Sequence, residues 1–527
     1  MSQKGSILKN TAVVSLFTMG SRVLGLVREM MQSRLIGAGV EQSAFTLAFM
    51  IPNMMRKLFG EGALTAAFVP VFKGTLERES LERAARLARS VMTMVLLMLC
   101  AVLLLLFGSL ECFQRWGCAQ DCDSSRLQLS IDLVKTLLPY MVFICASAFG
   151  MGVLNSLGGF KASSFMPCLL NVCWIAALGA ISFFPAMPPA ERVRWTAVAI
   201  LAAGVAQMVF MFWRMHRAGV SPRPRFSGWT ESKVLKVWRN LGVAALGAGA
   251  IQINYVLDQV LAQAASGWAA GVIGYAERLM DLPLGVVGVA FGTVLLPAFS
   301  GFFARNDLDG ARDALTSAVK SLMFIMLPSA AGLFVLAPEI TSVVYQGGEF
   351  GPDATMRVSR ALAVYALGLG FFGFQKSMIP WFQAQGDMKT PLRVSVCSVA
   401  MNAALNIAAV LLLPVEWRHV GLAASTVVCS AFGCGLLTVS ARRRNGSTGL
   451  GSCTAPVLKM AAAAAAMAAA LYAVKPFAAE MNPVAALVLS VAAGAAVYTV
   501  AAIVFLRSEV RACLRRRSAG LGVAGSK

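Results

Sequence analysis

The chain is 527 residues long, 58% hydrophobic and only 13% charged, and its 46 Lys and Arg against 25 Asp and Glu give a formal net charge of +21. That balance, with a mean hydropathy of +0.70, excludes an ordinary soluble protein, and apolar runs of roughly 20 residues in place of short alternating segments exclude a membrane β-barrel. The surplus Lys and Arg sit in short loops between the runs, which reads as membrane topology and contact with anionic headgroups rather than as a nucleic-acid surface.

Runs of this length predict about fourteen spans, starting near residues 7, 42, 91, 131, 163, 195, 240, 268, 315, 357, 392, 420, 455 and 482. The first, from MSQKGSILKNTAVVSLF onward, has a weakly basic start and no small-residue cleavage site at signal-peptide distance, so an uncleaved span is expected. It continues into SRVLGLVREMMQSRLIGAG, where Arg22, Arg28, Glu29 and Arg34 interrupt apolar sequence. The second span, AFMIPNMMRKLFGEGALTAAFVPVF, adds Arg56, Lys57 and Glu61. Cys112, Cys118 and Cys122 share the loop after span three; a disulfide there stays open, and their spacing matches no metal motif. Span eight, within GYAERLMDLPLGVVGVAFGTVLLP, contains Glu277, Arg278 and Asp281. His216 and His419, the only two histidines, fall in or beside predicted loops and are expected to be solvated. Near the end, KMAAAAAAMAAALYAV suits close helix packing or a smooth wall beside a lipid tail.

Loop charge sets the orientation. The segments Lys73 to Arg89, Arg214 to Arg239, Arg305 to Lys320 and Arg442 to Arg444, and the tail from Arg507 to Arg517, all fall on the side of Lys4 and Lys9. Alternate loops such as Ala265 to Trp268 carry few cations, so both termini are expected in the cytoplasm. The chain also echoes itself: FGEGALTAAFVPVF resembles GVVGVAFGTVLLPAF, and LGGFKASSFMPCLLNV resembles AQGDMKTPLRVSVCSV. Both pairs are six spans apart, an even number, which predicts two parallel lobes. The expected organisation is an N-terminal lobe over 1–220 (spans one to six), a C-terminal lobe over 221–445 (spans seven to twelve), and spans thirteen and fourteen with a basic tail over 446–527.

An Arg or Lys at mid-bilayer costs about 2.5–3.5 kcal/mol, so the charges inside the spans need a reason. Six-residue steps turn a helix by about 240°, so Arg22, Arg28 and Arg34 do not share a stripe. Arg34, beside IGAG, can snorkel to the interface. Lys57 and Glu61 stand one turn apart and can neutralise each other, leaving Arg56; Arg278 can pair with Asp281 at i, i+3, with Glu277 on another face. Two readings stand: the charges form interhelical ion pairs that fix the bundle, or Arg28, Arg56 and Arg278 line a wet cavity. Guanidinium is a planar fork that stays charged when buried, so such a cavity suits a phosphate or pyrophosphate and repels a cation.

No nucleotide-binding G-x-x-x-x-G-K-[ST] loop and no H-E-x-x-H or CxxC pattern occurs, and no enzymatic activity is expected. SRVLGLVRE, GAG, AFMIPNMMRKLFGEGALTAAFVPVF, YAERLMDLPLGVVGVAFGTVLLP and QGDMKTP together resemble MurJ (also called MviN), the bacterial lipid II flippase family. That family belongs to the MOP superfamily, with the MATE drug exporters and polysaccharide flippases. The likeness runs through about the first twelve spans, is strongest in spans one, two and eight, and is faint in the last two.

The resemblance implies an all-α polytopic membrane protein of fourteen helices, with two lobes, a central cationic cavity and a lipid-tail groove formed with spans thirteen and fourteen. It carries the family's functional arginines onto Arg22, Arg28, Arg56 and Arg278, and its acidic position after the first Arg pair onto Glu29; Asp281 joins this expected substrate-binding set beside Arg278. Where relatives have Asp shortly after GAG, this chain has Ser43. Some relatives bind sodium between spans seven, eleven and twelve; Asp258, Asn402, Asn406 and Ser425 are the oxygen ligands available here, with polar helix packing as the other reading. No other cofactor is expected. The implied function is movement of lipid II, an undecaprenyl-pyrophosphate-linked disaccharide-peptide, to the outer leaflet of the bacterial plasma membrane by alternating access. The expected partners are that lipid and membrane lipids, with no nucleic acid, and the expected state is a monomer. The alternatives are a flippase or exporter for another polyprenyl-linked glycan or an organic cation, or a membrane enzyme acting on polyprenyl phosphates.

Overall fold

Within a bilayer the backbone must satisfy its own hydrogen bonds, so long apolar runs fold as helices. The computed structural model describes residues 3–58, 63–117, 124–478 and 480–505, and every named element among them is helical. Glu61, Cys118, Cys122 and the basic tail from Arg507 lie outside the described residues. The helices pack into two compact units, Met1–Gln263 with Gly347–Gly351, and Ala264–Gln346 with Pro352–Lys527. The lobe boundary expected at residue 220 marks where the sequence repeat recurs; close packing, a different criterion, groups the following helix with the first unit.

In chain order the first unit is built from α1 (Gln3–Ile36), α2 (Val40–Met55), α3 (Ala63–Arg78), α4 (Leu81–Gly117), α5 (Ser124–Leu137), α6 (Tyr140–Ser156), α7 (Phe160–Ser182), α8 (Pro189–Arg217) and α9 (Ser232–Ala265). The second holds α10 (Ala269–Ala304), α11 (Leu308–Val335), α12 (Ala337–Tyr345), α13 (Pro352–Ala384), α14 (Lys389–Leu412), α15 (Val415–Asn445), α16 (Thr454–Ala478) and α17 (Pro483–Phe505). Ten helices among the described residues are long and apolar enough to cross a membrane, fewer than the fourteen spans expected. The other expected spans fall on α1, α9 and α10, of 34, 34 and 36 residues, and on the pair α2 and α3, of 16 residues each. Span four is likewise broken into α5 and α6 at Pro139, whose ring removes a backbone donor.

Each unit packs its helices in the same order. α3 meets α4 and α6, α6 meets α8, and α7 meets α8; correspondingly α10 meets α11 and α13, α13 meets α15, and α14 meets α15. Pro70 in α3 and Pro297 in α10 each precede a fully buried phenylalanine by two residues, Phe72 and Phe299. The aromatic contacts follow suit, with Phe68 of α3 4.6 Å from Phe149 of α6 and Phe299 of α10 5.5 Å from Trp381 of α13. The turns before α7 and α14 each use a glycine at positive φ, Gly158 at 81° and Gly386 at 73°, a conformation that disfavours residues with a Cβ.

Two features belong to one unit alone. In the first, the segment Gly347–Gly351 closes on the end of α1: the Glu349 N–H donates to the Arg34 carbonyl at 2.9 Å. A Cβ on Gly348 would stand 2.2 Å from that carbonyl oxygen, so no larger residue fits. The buried Arg192 ties the same place together, donating to the carbonyls of Leu35 (2.9 Å) and Pro185 (2.7 Å) and to the Glu349 carboxylate (3.2 Å). In the second unit α16 and α17 add to the core, where Tyr498 donates its hydroxyl to the Phe324 carbonyl at 2.9 Å and the buried Ala463 and Ala464 of the Ala-rich run allow close approach.

Candidate functional site

The best-defined intramembrane charge is Arg28. On α7, Asn171 and Trp174 lie one turn apart and so share a face, and that face meets α1. Arg28 Nη1 donates to Asn171 Oδ1 at 3.0 Å, and its guanidinium lies 4.3 Å from the Trp174 ring centroid. The Asn171 amide returns to α1, donating to the Ser21 carbonyl at 3.0 Å and the Ser21 hydroxyl at 3.3 Å. Arg28 Nη2 donates to Glu29 Oε1 at 2.5 Å, with both side chains 13% exposed. Arg28 Nε is buried with no acceptor among the described residues. Trp174 is in turn fixed edge-on by Phe45 (5.7 Å) and Phe49 (5.5 Å) of α2. The result is a largely desolvated guanidinium held on an aromatic platform and locally neutralised by one carboxylate, with its Nε–H among the donors left unused.

The sequence marks Arg28 and Glu29 but does not show that they meet Asn171 and Trp174. Asn171 is 143 residues from Arg28, and the one available signal was an Asn and a Trp at i, i+3 in the otherwise apolar LLNVCW.

At the end of α2, Pro52 precedes a single π turn at residues 56–58, a distortion often found at functional sites. Arg56 is half-buried there, and its Nε and Nη2 both reach Asn53 Oδ1, at 3.3 and 3.1 Å. Lys57 stands 5.1 Å from the Tyr255 ring of α9; its expected partner Glu61 lies outside the described residues. Arg22 is half-buried on α1 and Arg34 is exposed, the latter as snorkelling requires. Ser43, the departure after GAG, is fully buried.

In the second unit α10 separates its charges. Glu277 turns inward and accepts from the Tyr365 hydroxyl at 3.4 Å, while Arg278 and Asp281 are exposed. The residues considered for sodium are engaged locally. Asn406 donates to Asn402 Oδ1 at 2.9 Å and Ser425 donates to its own helix at Gly421, while Asp258, in the first unit, accepts from Asn254 at 3.3 Å. No group of three or more His, Cys, Asp or Glu suited to a metal occurs among the described residues.

One expectation is corrected. His419 is fully buried rather than solvated: it lies in the second turn of α15, 5.0 Å from the Trp268 ring, with Nε2 donating to the Arg357 carbonyl at 3.2 Å. His216, at the end of α8, is exposed as expected.

Comparison with known proteins gives a consistent result. The family model for the lipid II flippase MurJ matches residues 32–509. A probable lipid II flippase MurJ of Rhizobium tropici is 34% identical over 414 residues, covering 78% of this chain and 76% of the relative. The fold is similar to a solved lipid II flippase MurJ in an inward closed conformation, with a TM-score of 0.76 at 22% identity over 95% of this chain and all of that one. It is also similar to an inward-facing MATE family multidrug resistance transporter of the MOP superfamily, with a TM-score of 0.67 at 16% identity over 81% of this chain and 95% of that one.

Proposed function

This chain belongs to the lipid II flippase MurJ family, and from that membership we propose that it moves lipid II from the cytoplasmic to the outer leaflet of the bacterial plasma membrane by alternating access. The observation that carries the site is the Arg28 guanidinium, pinned on Trp174 by Asn171 and Glu29 inside a hydrophobic unit. Idealised burial of one ion costs on the order of 20 kcal/mol, so the substrate's pyrophosphate cannot cross hydrocarbon bare. A guanidinium already stripped of water and oriented replaces that hydration with charge-assisted hydrogen bonds. Arg22, Arg56 and Arg278 complete the binding set by their correspondence to the family's motifs, and Asp281 joins it as the i, i+3 neighbour of Arg278.

Glu29 has a definite part in this scheme. It occupies Arg28 Nη2 when no phosphate is present and competes for it when one arrives, so the anion is held strongly enough to enter and weakly enough to leave. The membrane potential, inside negative, favours outward movement of negative charge by about 2.3 kcal/mol per charge per 100 mV, a drive that needs no nucleotide site. The cationic lining opposes an organic cation as cargo.

Depleting the resident flippase of a bacterium and expressing this chain tests the reading. Restored growth, with lipid II becoming accessible to a lipid II-cleaving enzyme added outside the cells, is the expected result. Lipid II that stays in the inner leaflet while the protein is present at normal levels would overturn it.

A further inference from the structure

We propose that the second unit carries an anionic-phospholipid site on its outward-assigned end, built from Arg357 and Arg360 of α13 on the indole rings of Trp268 and Trp417. The two arginines are one turn apart, half-buried and on one helix face. The Arg357 guanidinium lies 4.1 Å from the Trp268 ring centroid and that of Arg360 4.8 Å from Trp417. Among the described residues neither guanidinium forms an ion pair or donates a hydrogen bond to the protein. Two oriented cations with all their donors unused are a receptor for a phosphate.

The platform is rigid. Trp268 caps α10 and packs edge-on against the buried His419, whose Nε2 is bonded to the Arg357 backbone. Arg418 clips the neighbouring loops, donating to the carbonyls of Leu413 (3.2 Å) and Ala265 (3.1 Å). The acidic groups nearest in sequence on these elements, Asp353 and Glu416, are exposed and pair with neither arginine.

Depth and surroundings select a lipid as occupant. α13 has 33 residues and rises about 50 Å, longer than the roughly 30 Å hydrocarbon core, so its first turns reach headgroup level. Beside Trp417, itself 46% exposed, Leu411, Leu412 and Val415 are 75%, 80% and 49% exposed, an apolar flank for acyl chains below a phosphate held by the arginines. Loop charge assigns this end to the outer leaflet.

Native mass spectrometry of the purified full-length protein, with dioleoyl-phosphatidylglycerol or dioleoyl-phosphatidylcholine added, tests the site. A cation near a membrane surface contributes about 1 kcal/mol, a factor of about five. Arg360→Gln is therefore expected to lower phosphatidylglycerol retention about five-fold and Arg357→Gln/Arg360→Gln about thirty-fold, with the Lys pair at both positions recovering most of it. Equal retention of phosphatidylglycerol by wild type and a folded double variant would overturn the proposal, as would wild type that does not distinguish the two lipids. Displacement of the lipid by inorganic phosphate alone, or retention of undecaprenyl pyrophosphate but not phosphatidylglycerol, would also overturn it. Should the double variant fail to fold, Arg360→Gln decides alone, because among the described residues its guanidinium stacks on Trp417 and makes no ion pair or hydrogen bond whose loss would unfold the protein.

Discussion

The two units pack their helices in one order, yet the corresponding helices α7 and α14 use their buried amides differently. In the first, α7 presents Asn171 and Trp174 to α1, and the pair holds a guanidinium and its carboxylate within the bundle. In the second, α14 uses Asn402 and Asn406 on each other, a neutral amide pair 3% and 1% exposed. An ion pair of that unit falls at a helix end, where Arg444 at the close of α15 meets Asp387 in the turn before α14 at 2.6 Å. The shared packing order thus does not fix which helix carries the charge: in the first unit it is α1 against α7, in the second it is α10, with Glu277, Arg278 and Asp281. On α7 the charge is placed where a helix face offers an acceptor and an aromatic platform, Asn171 and Trp174; α14 has amides at the equivalent place and leaves those charges of its unit to α10.

The sharpest way to break this comparison is to remove the guanidinium. Arg28→Ala is expected to abolish complementation at normal expression, since a charge-assisted hydrogen bond contributes about 1.5–3 kcal/mol, whereas Asn402→Ala in the second unit is expected to leave growth intact. Growth of both variants after depletion of the resident flippase checks the contrast; a functional Arg28→Ala would dissolve it. Next in size is Glu29→Gln, which leaves a largely buried charge uncompensated. About 3 kcal/mol of stability should be lost, read as a lower melting temperature of the purified protein, and Arg28→Met introduced with it should recover part of that loss.

Trp174→Leu tests the platform. It removes a cation–π contact of about 1–2 kcal/mol and the edges that Phe45 and Phe49 pack against, so melting should fall while Asn402→Leu moves it less. The smallest effect belongs to Asp387. Burial alone would raise its carboxyl, but hydrogen bonds from the Thr390 N–H and hydroxyl, the Arg444 guanidinium and the Lys389 N–H outweigh it and hold the group below its ordinary 3.8. A carboxyl lowered by folding contributes stability that is complete above its unfolded value and is lost as pH falls through its folded value. Asp387→Ala should therefore melt lower at neutral pH by about 1 kcal/mol, the scale of a lost helix cap, and the two melting curves should converge as pH drops below 3.8. A difference that persists at that pH would assign the effect to packing.

Much of the candidate site was legible residue by residue. SRVLGLVRE and AFMIPNMMRK advertised charges that hydrocarbon does not tolerate without compensation, and the planar fork of arginine is the ground for proposing an anion. Span two was less legible: as one apolar run it predicts one helix, yet Pro52 and the π turn at 56–58 end α2 at the charged residues themselves. His419 shows the limit of loop proximity as a guide. It stands five residues from Pro414, but a helix buries or exposes a residue by its angle about the axis, and that angle faces Trp268.

The amino-acid sequence by itself determined that this protein is an all-helical membrane protein with intramembrane arginines, a family signature and a twofold repeat. Hydrophobic length and charge penalty are local properties, summed along the chain without knowledge of neighbours. Only the tertiary structure decided that Arg28 rests on Trp174 and Asn171, that Glu277 meets Tyr365 while its neighbour Arg278 is exposed, and that Arg357 and Arg360 stand on indole rings from the cap of α10 and from α15. Those outcomes depend on which helix faces meet, and residues as far apart as Arg28 and Asn171, 143 positions, are brought together by packing geometry that no local pattern records.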